Sequence, residues 1–333
     1  MGRPGKVPER PDEFAIIEKF FAPLAATEAG AFGLTDDAAV LTFGDNEKTV
    51  VTTDCLIAGV HFFDTDPPAD IAAKLLAVNL SDLAAMGARP KYFTLAAAWP
   101  KPIDIDWIEK FARGLGQAQA EAGVVLVGGD TVAGPGPLSL TLTAIGVLNG
   151  AGPLLRGGVR AGDRIYVSGT IGDAALGLRL LTGELEVAEG DREDLISRYR
   201  RPHARNQLGL ELATLATAAV DVSDGLVADV NHLAQTSNVS ITIRADDIPL
   251  SGAVRSLLNR QPDLLSTVLT GGDDYELVFS LPPDQADRLV ALRRRVDVPI
   301  TEIGHADAGP GRTVVVDSQG KTVPISNFGY RHI

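Results

Sequence analysis

The chain has 333 residues, 45% hydrophobic and 22% charged, with a formal net charge of −13. That length supports two medium domains with a core each, and that composition excludes a disordered chain. The charge excludes nucleic-acid binding through clustered Lys and Arg, while leaving open a phosphorylated substrate held through carboxylate-bound cations.

Cys55 is the single cysteine, so no internal disulfide is expected and the expected compartment is the cytoplasm. The first residues, MGRPGKVPERPDE, are polar and proline-rich without the apolar run of a secretory signal. The longest uncharged run, Thr131 to Leu155, is broken by glycines and prolines and alternates from Leu138 to Thr143. It predicts a strand with one polar face, and no membrane association is expected.

In chain order, Asp12 is expected to cap a helix with Phe14, Ile17, Phe21 and Leu24 on its apolar side. Asp36 and Asp37 follow in a small-residue loop. Thr49 to Phe63 predicts a buried strand that ends at Thr52, Thr53 and Asp54, followed by Gly59 and His61. A helix from Ile71 to Met86 places Asn79 and Asp82, three apart, on one face among small neighbours. Tyr92 to Trp99 reads as a strand. The next helix, about 104 to 122, carries the stripe Trp107, Phe111, Leu115 and Ala118.

Val124 to Val127 then runs into Gly128, Gly129, Asp130 and Thr131, repeating the plan of an apolar strand delivering a carboxylate. The Gly- and Pro-rich stretch from 149 to 162 places a domain boundary, with Arg156 inside it. Beyond it, strand 164–168, a glycine turn and a helix to Leu181 give an α/β signature. A helix from Ala204 to Thr217 leads to a third acid-tipped strand, Ala218 to Asp221, with Ser223, Asp224 and a helix from Leu226 to Gln235 after it. Gly271, Gly272, Asp273, Asp274, Tyr275 and Glu276 precede the strand Leu277 to Ser280, and a helix, two short strands and a tail complete the chain.

Asp36, Asp37, Asp54, Asp82, Asp130, Asp221 and Asp224 all sit beside small residues next to apolar elements. Convergent carboxylates repel unless cations lie between them, and an oxygen-rich set poor in His and Cys suits magnesium or manganese. Neither a GxxxxGK[ST] loop nor a complete GxGxxG after a strand is present, so a phosphate site has to use metal, arginine and backbone N–H groups. Arg156 can fork onto phosphate oxygens.

The strings DDAAV at 36, TTD at 52 with GVHF at 59, AVNLSDLAAMGA at 77, GGDT at 128, YVSGT at 166 with Gly172-Asp173, DVSDGL at 221 and GGDDYEL at 271 closely resemble, in order, those of the thiamine-monophosphate kinases, of the aminoimidazole-ribonucleotide-synthetase superfamily. The resemblance implies a two-domain α+β / α/β chain, a PurM-like N-terminal domain over 1–155 and a PurM-like C-terminal domain over 156–333, dimerising through the N-terminal sheet. It implies ATP and Mg2+ as cofactors and ATP-dependent phosphorylation of thiamine monophosphate. By position, Asp37, Thr52, Thr53, Asp54, Asp82, Asp130, Asp221 and Asp224 resemble magnesium-site residues. Gly129, Asp130, Arg156 and Ser223 resemble ATP contacts, with Asp130 and Arg156 in catalytic roles, and His61, Asp273 and Asn327 match substrate-binding positions. Two positions depart from the pattern: the family usually has Glu in place of Asp273 and an aromatic in place of Asn327, where Phe328 or Tyr330 could supply the ring.

Overall fold

The computed structural model describes residues 13–35, 38–44, 47–101, 105–148, 150, 152–325 and 329. It forms two compact units. The first comprises residues up to 45, 53–76 and 90–145, and the second comprises 46–52, 77–89 and everything from 146 onward.

Strands β1 (Lys48–Ile57), β2 (Arg89–Pro100), β3 (Val125–Gly134) and β4 (Ser139–Leu148) form a sheet in the order β1-β4-β2-β3. In β4, Leu140, Leu142 and Ala144 are buried while Ser139, Thr141 and Thr143, alternating with them, are half-buried, which is the alternation of a one-sided sheet. Helix α1 (Pro68–Ala85) begins just after Pro67, and helix α2 (Ile105–Ala122) lays Ile108, Phe111 and Leu115 into the core of the first unit. Trp99 packs edge-on against Phe111 and Trp107 there.

Three expectations are corrected. The first helix is a short turn, Glu13–Ile16, that widens into a π-helical stretch and then a 3-10 turn around Pro23, because proline cannot donate the next helical hydrogen bond. The strand predicted to stop at Asp54 continues to Ile57, and the one predicted to stop at Val127 continues to Gly134. Their carboxylates therefore lie within strands, Asp54 half-buried and Asp130 exposed. Gly129 can sit in β3 because it carries no side chain: a Cβ there would lie 1.9 Å from the Leu95 carbonyl oxygen.

The second unit holds a six-stranded sheet in the order β10-β7-β9-β5-β8-β6, built from β5 (Arg164–Ser168), β6 (Ala218–Asp221), β7 (Val239–Arg244), β8 (Leu277–Leu281), β9 (Ile300–Ala308) and β10 (Arg312–Val316). Only the β10–β7 pair is parallel; the other four pairings are antiparallel. One face of this sheet packs through Ile165, Val167, Val220 and Ile241 onto helices α3 (Asp173–Leu181) and α6 (Leu226–Ser237), and the other buries Tyr166, Ala219, Leu277 and Phe279.

The end of α1 belongs to this second unit for identifiable reasons. Asn206 donates its amide to the Leu80 carbonyl at 2.8 Å, and Leu154 N–H donates to the Met86 carbonyl at 3.1 Å. Helix α5 (Asn206–Leu212) approaches so closely that a Cβ on Gly209 would lie 2.1 Å from the Ala84 carbonyl oxygen. That helix is shorter than predicted, ending before Thr214. Helix α4 (Glu189–Arg200), which the apolar pattern did not predict, buries only Leu195 and Tyr199. Among the described residues no helix is long and apolar enough to cross a membrane.

Candidate active site

In the second unit, β6 is buried along its length and ends on Asp221. The Asp221 carboxylate accepts a 2.7 Å hydrogen bond from Ser81 Oγ, and Asp82, the next residue of α1, accepts one of 2.5 Å from Thr52 Oγ1. Thr52, Asp82, Arg156 and Asp221 line one cavity of about 680 Å3, together with apolar residues such as Met86 and Leu155. Four sequence-predicted site residues thus meet in one place, drawn from a strand, a helix, a linker and a second strand.

The electrostatics of this cavity fit a hard divalent cation. Burial, and next the charge of Asp82, push Asp221 up to about 7. Burial likewise raises Asp82, opposed by the Thr52 hydroxyl and by Arg156. One level deeper, Asp229 of α6 is held well above the ordinary carboxylate range by burial and by the charges of Asp221 and Asp224. Carboxylates that resist sharing their charge, with hydroxyl oxygens beside them and a single guanidinium as counter-charge, form an oxygen donor set that magnesium would relieve.

Sequence reading missed Asp229. It accepts the Asp224 backbone N–H at 3.1 Å, and Asp224, Asp229 and His232 bring ligand atoms within 4.8 Å of one another. Helical spacing of 229 and 232 was the available signal. Ser223 lies in the same turn, its carbonyl accepting the Asp273 N–H at 2.9 Å, so an expected ATP contact and an expected substrate contact share a backbone hydrogen bond.

In the first unit, Gly129, Asp130 and Thr131 line a pocket of about 100 Å3 whose other walls include Phe21, Leu34, Leu95 and Val127. An apolar slot ending in glycine backbone and a carboxylate suits a flat heterocycle with a charged tail. Asp130 accepts its own neighbour's N–H, from Thr131, at 2.9 Å. Thr53 is exposed and pairs with Thr143 through their hydroxyls at 2.8 Å, which directs it along the sheet surface. His61 Nδ1 accepts the Ile57 N–H at 3.0 Å. That bond orients the imidazole ring against the turn after β1. Asp36, Asp37, Asn327, Phe328 and Tyr330 lie outside the described residues.

The chain matches the AIR synthase related proteins, the N-terminal domain of that family over residues 35–148 and its C-terminal domain over residues 160–317. Thiamine-monophosphate kinase of Caulobacter vibrioides is 38% identical over 325 residues, 97% of this chain and 91% of that one. The crystal structure of thiamine-monophosphate kinase from Stenotrophomonas maltophilia K279a is 44% identical with a TM-score of 0.83, covering 93% of this chain and 98% of that chain. A solved structure described as AaThiL complexed with AMPPCP and TMP is 32% identical with a TM-score of 0.77, covering 92% and 98%. The chain belongs to the thiamine-monophosphate kinase family.

Proposed function

We propose that this chain transfers the γ-phosphoryl group of ATP to the phosphate of thiamine monophosphate, giving thiamine diphosphate and ADP. The observation that carries this reading is 38% identity to a thiamine-monophosphate kinase along 97% of the chain, with Thr52, Asp82, Arg156 and Asp221 gathered in one cavity of the second unit. A phosphate oxygen of the substrate bonds to the γ-phosphorus as the bond from that phosphorus to the β-bridging oxygen breaks, and ADP carries the electron pair away. The attacking oxygen is already ionised near neutral pH, so the chain has no strong base to supply; its task is to hold anions in line.

Asp82, Asp221 and Asp224, with Thr52, are the second unit's candidates to hold magnesium. When bound, magnesium neutralises phosphate charge. Arg156 forks onto phosphate oxygens. Gly129 contacts the nucleotide, and the apolar pocket that it lines takes the base. Asp130 would hold magnesium at the phosphate end of that pocket. His61 and Asp273 contact the substrate.

We extend the reading to organisation. The two domains are 1–155 and 156–333. A homodimer forms through the first sheet, supported by an outward face that exposes Thr53, Cys55, Ala96 and Val132, a surface of small and β-branched residues suited to a partner sheet. The enzyme works in the cytoplasm, in keeping with its single cysteine. A coupled ADP-release assay with thiamine monophosphate, thiamine and an aminoimidazole ribonucleotide precursor tests the function. ADP release that depends on thiamine monophosphate alone is expected; release that prefers either alternative rejects the assignment.

A further inference from the structure

Two non-glycine residues flanking Asp274 adopt left-handed backbone, Asp273 at φ 73° and Tyr275 at φ 50°. Aspartate tolerates that region, whereas a bulky aromatic residue occupies it only where its surroundings hold it there. The holding contacts are visible. Asp273 N–H donates to the Ser223 carbonyl at 2.9 Å, Tyr275 N–H to the Val222 carbonyl at 2.8 Å, and Val222 N–H to the Glu276 carbonyl at 2.8 Å. A Cβ on Gly272 would lie 2.2 Å from the Ser223 carbonyl oxygen, so the two loops run in contact.

Beneath this ladder lies a buried ion cluster. Glu276, with no exposed surface, accepts from Ser168 Oγ at 2.6 Å, Arg198 Nη2 at 2.8 Å and Arg205 Nε at 2.6 Å, and also from Arg205 Nη2. Ser168 Oγ in turn accepts the Leu277 N–H at 2.9 Å. Arg198 reaches the Asp274 carbonyl at 3.4 Å, while the Asp274 carboxylate takes the N–H groups of Gly172 and Ala174. Gly169 leaves room for the cluster, since a Cβ there would lie 2.1 Å from Glu276 Oε1. Every residue from 273 to 276 is therefore fixed either by the 222–223 loop or by the cluster.

We propose that Glu276, Arg198 and Arg205 are positioning residues for phosphoryl transfer: their cluster keeps Asp273 and Tyr275 left-handed and so holds Asp273 and the Asp221–Asp224 loop in one register. None of the three touches substrate in this account. Their effect on turnover rests on the kinase reading above, whereas their effect on the loop does not. Neutralising one partner is expected to loosen the 222–223 and 273–275 loops together and to weaken binding of both substrates.

The experiment uses the full chain and begins with Arg205→Gln, since the Arg205 side chain is partly exposed and Arg198 remains to pair Glu276. Hydrogen exchange at the amides of Asp273 and Tyr275 is expected to accelerate by about ten-fold or more, with the amides of β7 unchanged. The KM values for ATP and for thiamine monophosphate are both expected to rise and kcat to fall by about five-fold or more, with Arg205→Lys recovering part of each loss. In a Tyr275→Asn background, where asparagine accepts the left-handed region, the loss caused by Arg205→Gln is expected to shrink by about three-fold. Unchanged exchange at 273 and 275, or an equal loss in both backgrounds, overturns the proposal. Should Arg205→Gln fail to fold, the same exchange and kinetic comparisons on Arg205→Lys decide it. If the wild-type chain forms no thiamine diphosphate, the kinase reading falls while the exchange result still decides the clamp.

Discussion

Replacing Asp221 by asparagine tests the electrostatics of the carboxylate cavity. Asp221 is 2% exposed and accepts from Ser81, a bond that an asparagine carbonyl can also accept, so the change removes charge with little change of shape. A carboxyl raised from 3.8 to about 7 carries roughly 4 kcal/mol of penalty on its ionised form once pH exceeds both values. The sign follows from proton counting. Between pH 4 and 7 the folded chain holds a proton at Asp221 that the unfolded chain has released, so stability falls as pH rises through that window and levels off above it. Below pH 4 both states are protonated and no penalty exists.

Urea unfolding in EDTA at pH 5 and pH 8 measures this. The wild-type chain is expected to lose about 3 kcal/mol more than Asp221→Asn between those two conditions, with the variant the more stable at pH 8. Millimolar magnesium is expected to raise the wild-type midpoint at pH 8 and to raise that of the variant much less. Equal pH slopes for the two proteins, or a variant less stable than wild type at pH 8, would refute the reasoning, because Asp221 would then gain rather than lose by being ionised.

Other substitutions address the remaining parts of the account. Asp130→Asn is expected to cut kcat by about a hundred-fold or more while circular dichroism and melting temperature stay at wild-type values, since Asp130 is exposed and an asparagine carbonyl keeps the Thr131 N–H contact while losing the charge proposed to hold magnesium; near-normal turnover at saturating magnesium removes its role. His61→Ala is expected to raise the KM for thiamine monophosphate by about ten-fold with the KM for ATP unchanged, checked by initial-rate kinetics in both substrates. Gly209→Ala places a methyl 2.1 Å from the Ala84 carbonyl oxygen and is expected to destabilise the second unit by about 2 kcal/mol, read by urea unfolding; wild-type stability would mean the helix contact is looser than described.

Much of this was legible in the sequence, and the failures have physical causes. Helix α2 announces itself through Trp107, Phe111 and Leu115 at helical spacing; Phe111 and Leu115 are buried in the first unit, and half-buried Trp107 stacks on Phe111. Strand β4 shows its alternation directly. Helix α4 could not be seen, because a segment reading EGDREDLISRYR buries two side chains and offers no apolar stripe. The strand limits at Asp54 and Val127 were misjudged for the opposite reason: Asp and Gly are weak strand formers, and pairing with neighbouring strands overrides that preference. At the site, aspartates beside small residues were recognisable one by one. Their pairing with Ser81 and Thr52, and the reach of Arg198 and Arg205 to Glu276, span up to 140 residues of chain. No local pattern encodes such contacts.

Everything rests on the γ-phosphoryl group passing from ATP to the phosphate of thiamine monophosphate. Incubating the chain with magnesium, thiamine monophosphate and ATP labelled with 18O in its γ-phosphoryl oxygens, then analysing the product by mass spectrometry, tests it most directly. The account predicts thiamine diphosphate with the label in its terminal phosphoryl group, formed in step with ADP. Labelled inorganic phosphate with no labelled thiamine diphosphate would contradict it.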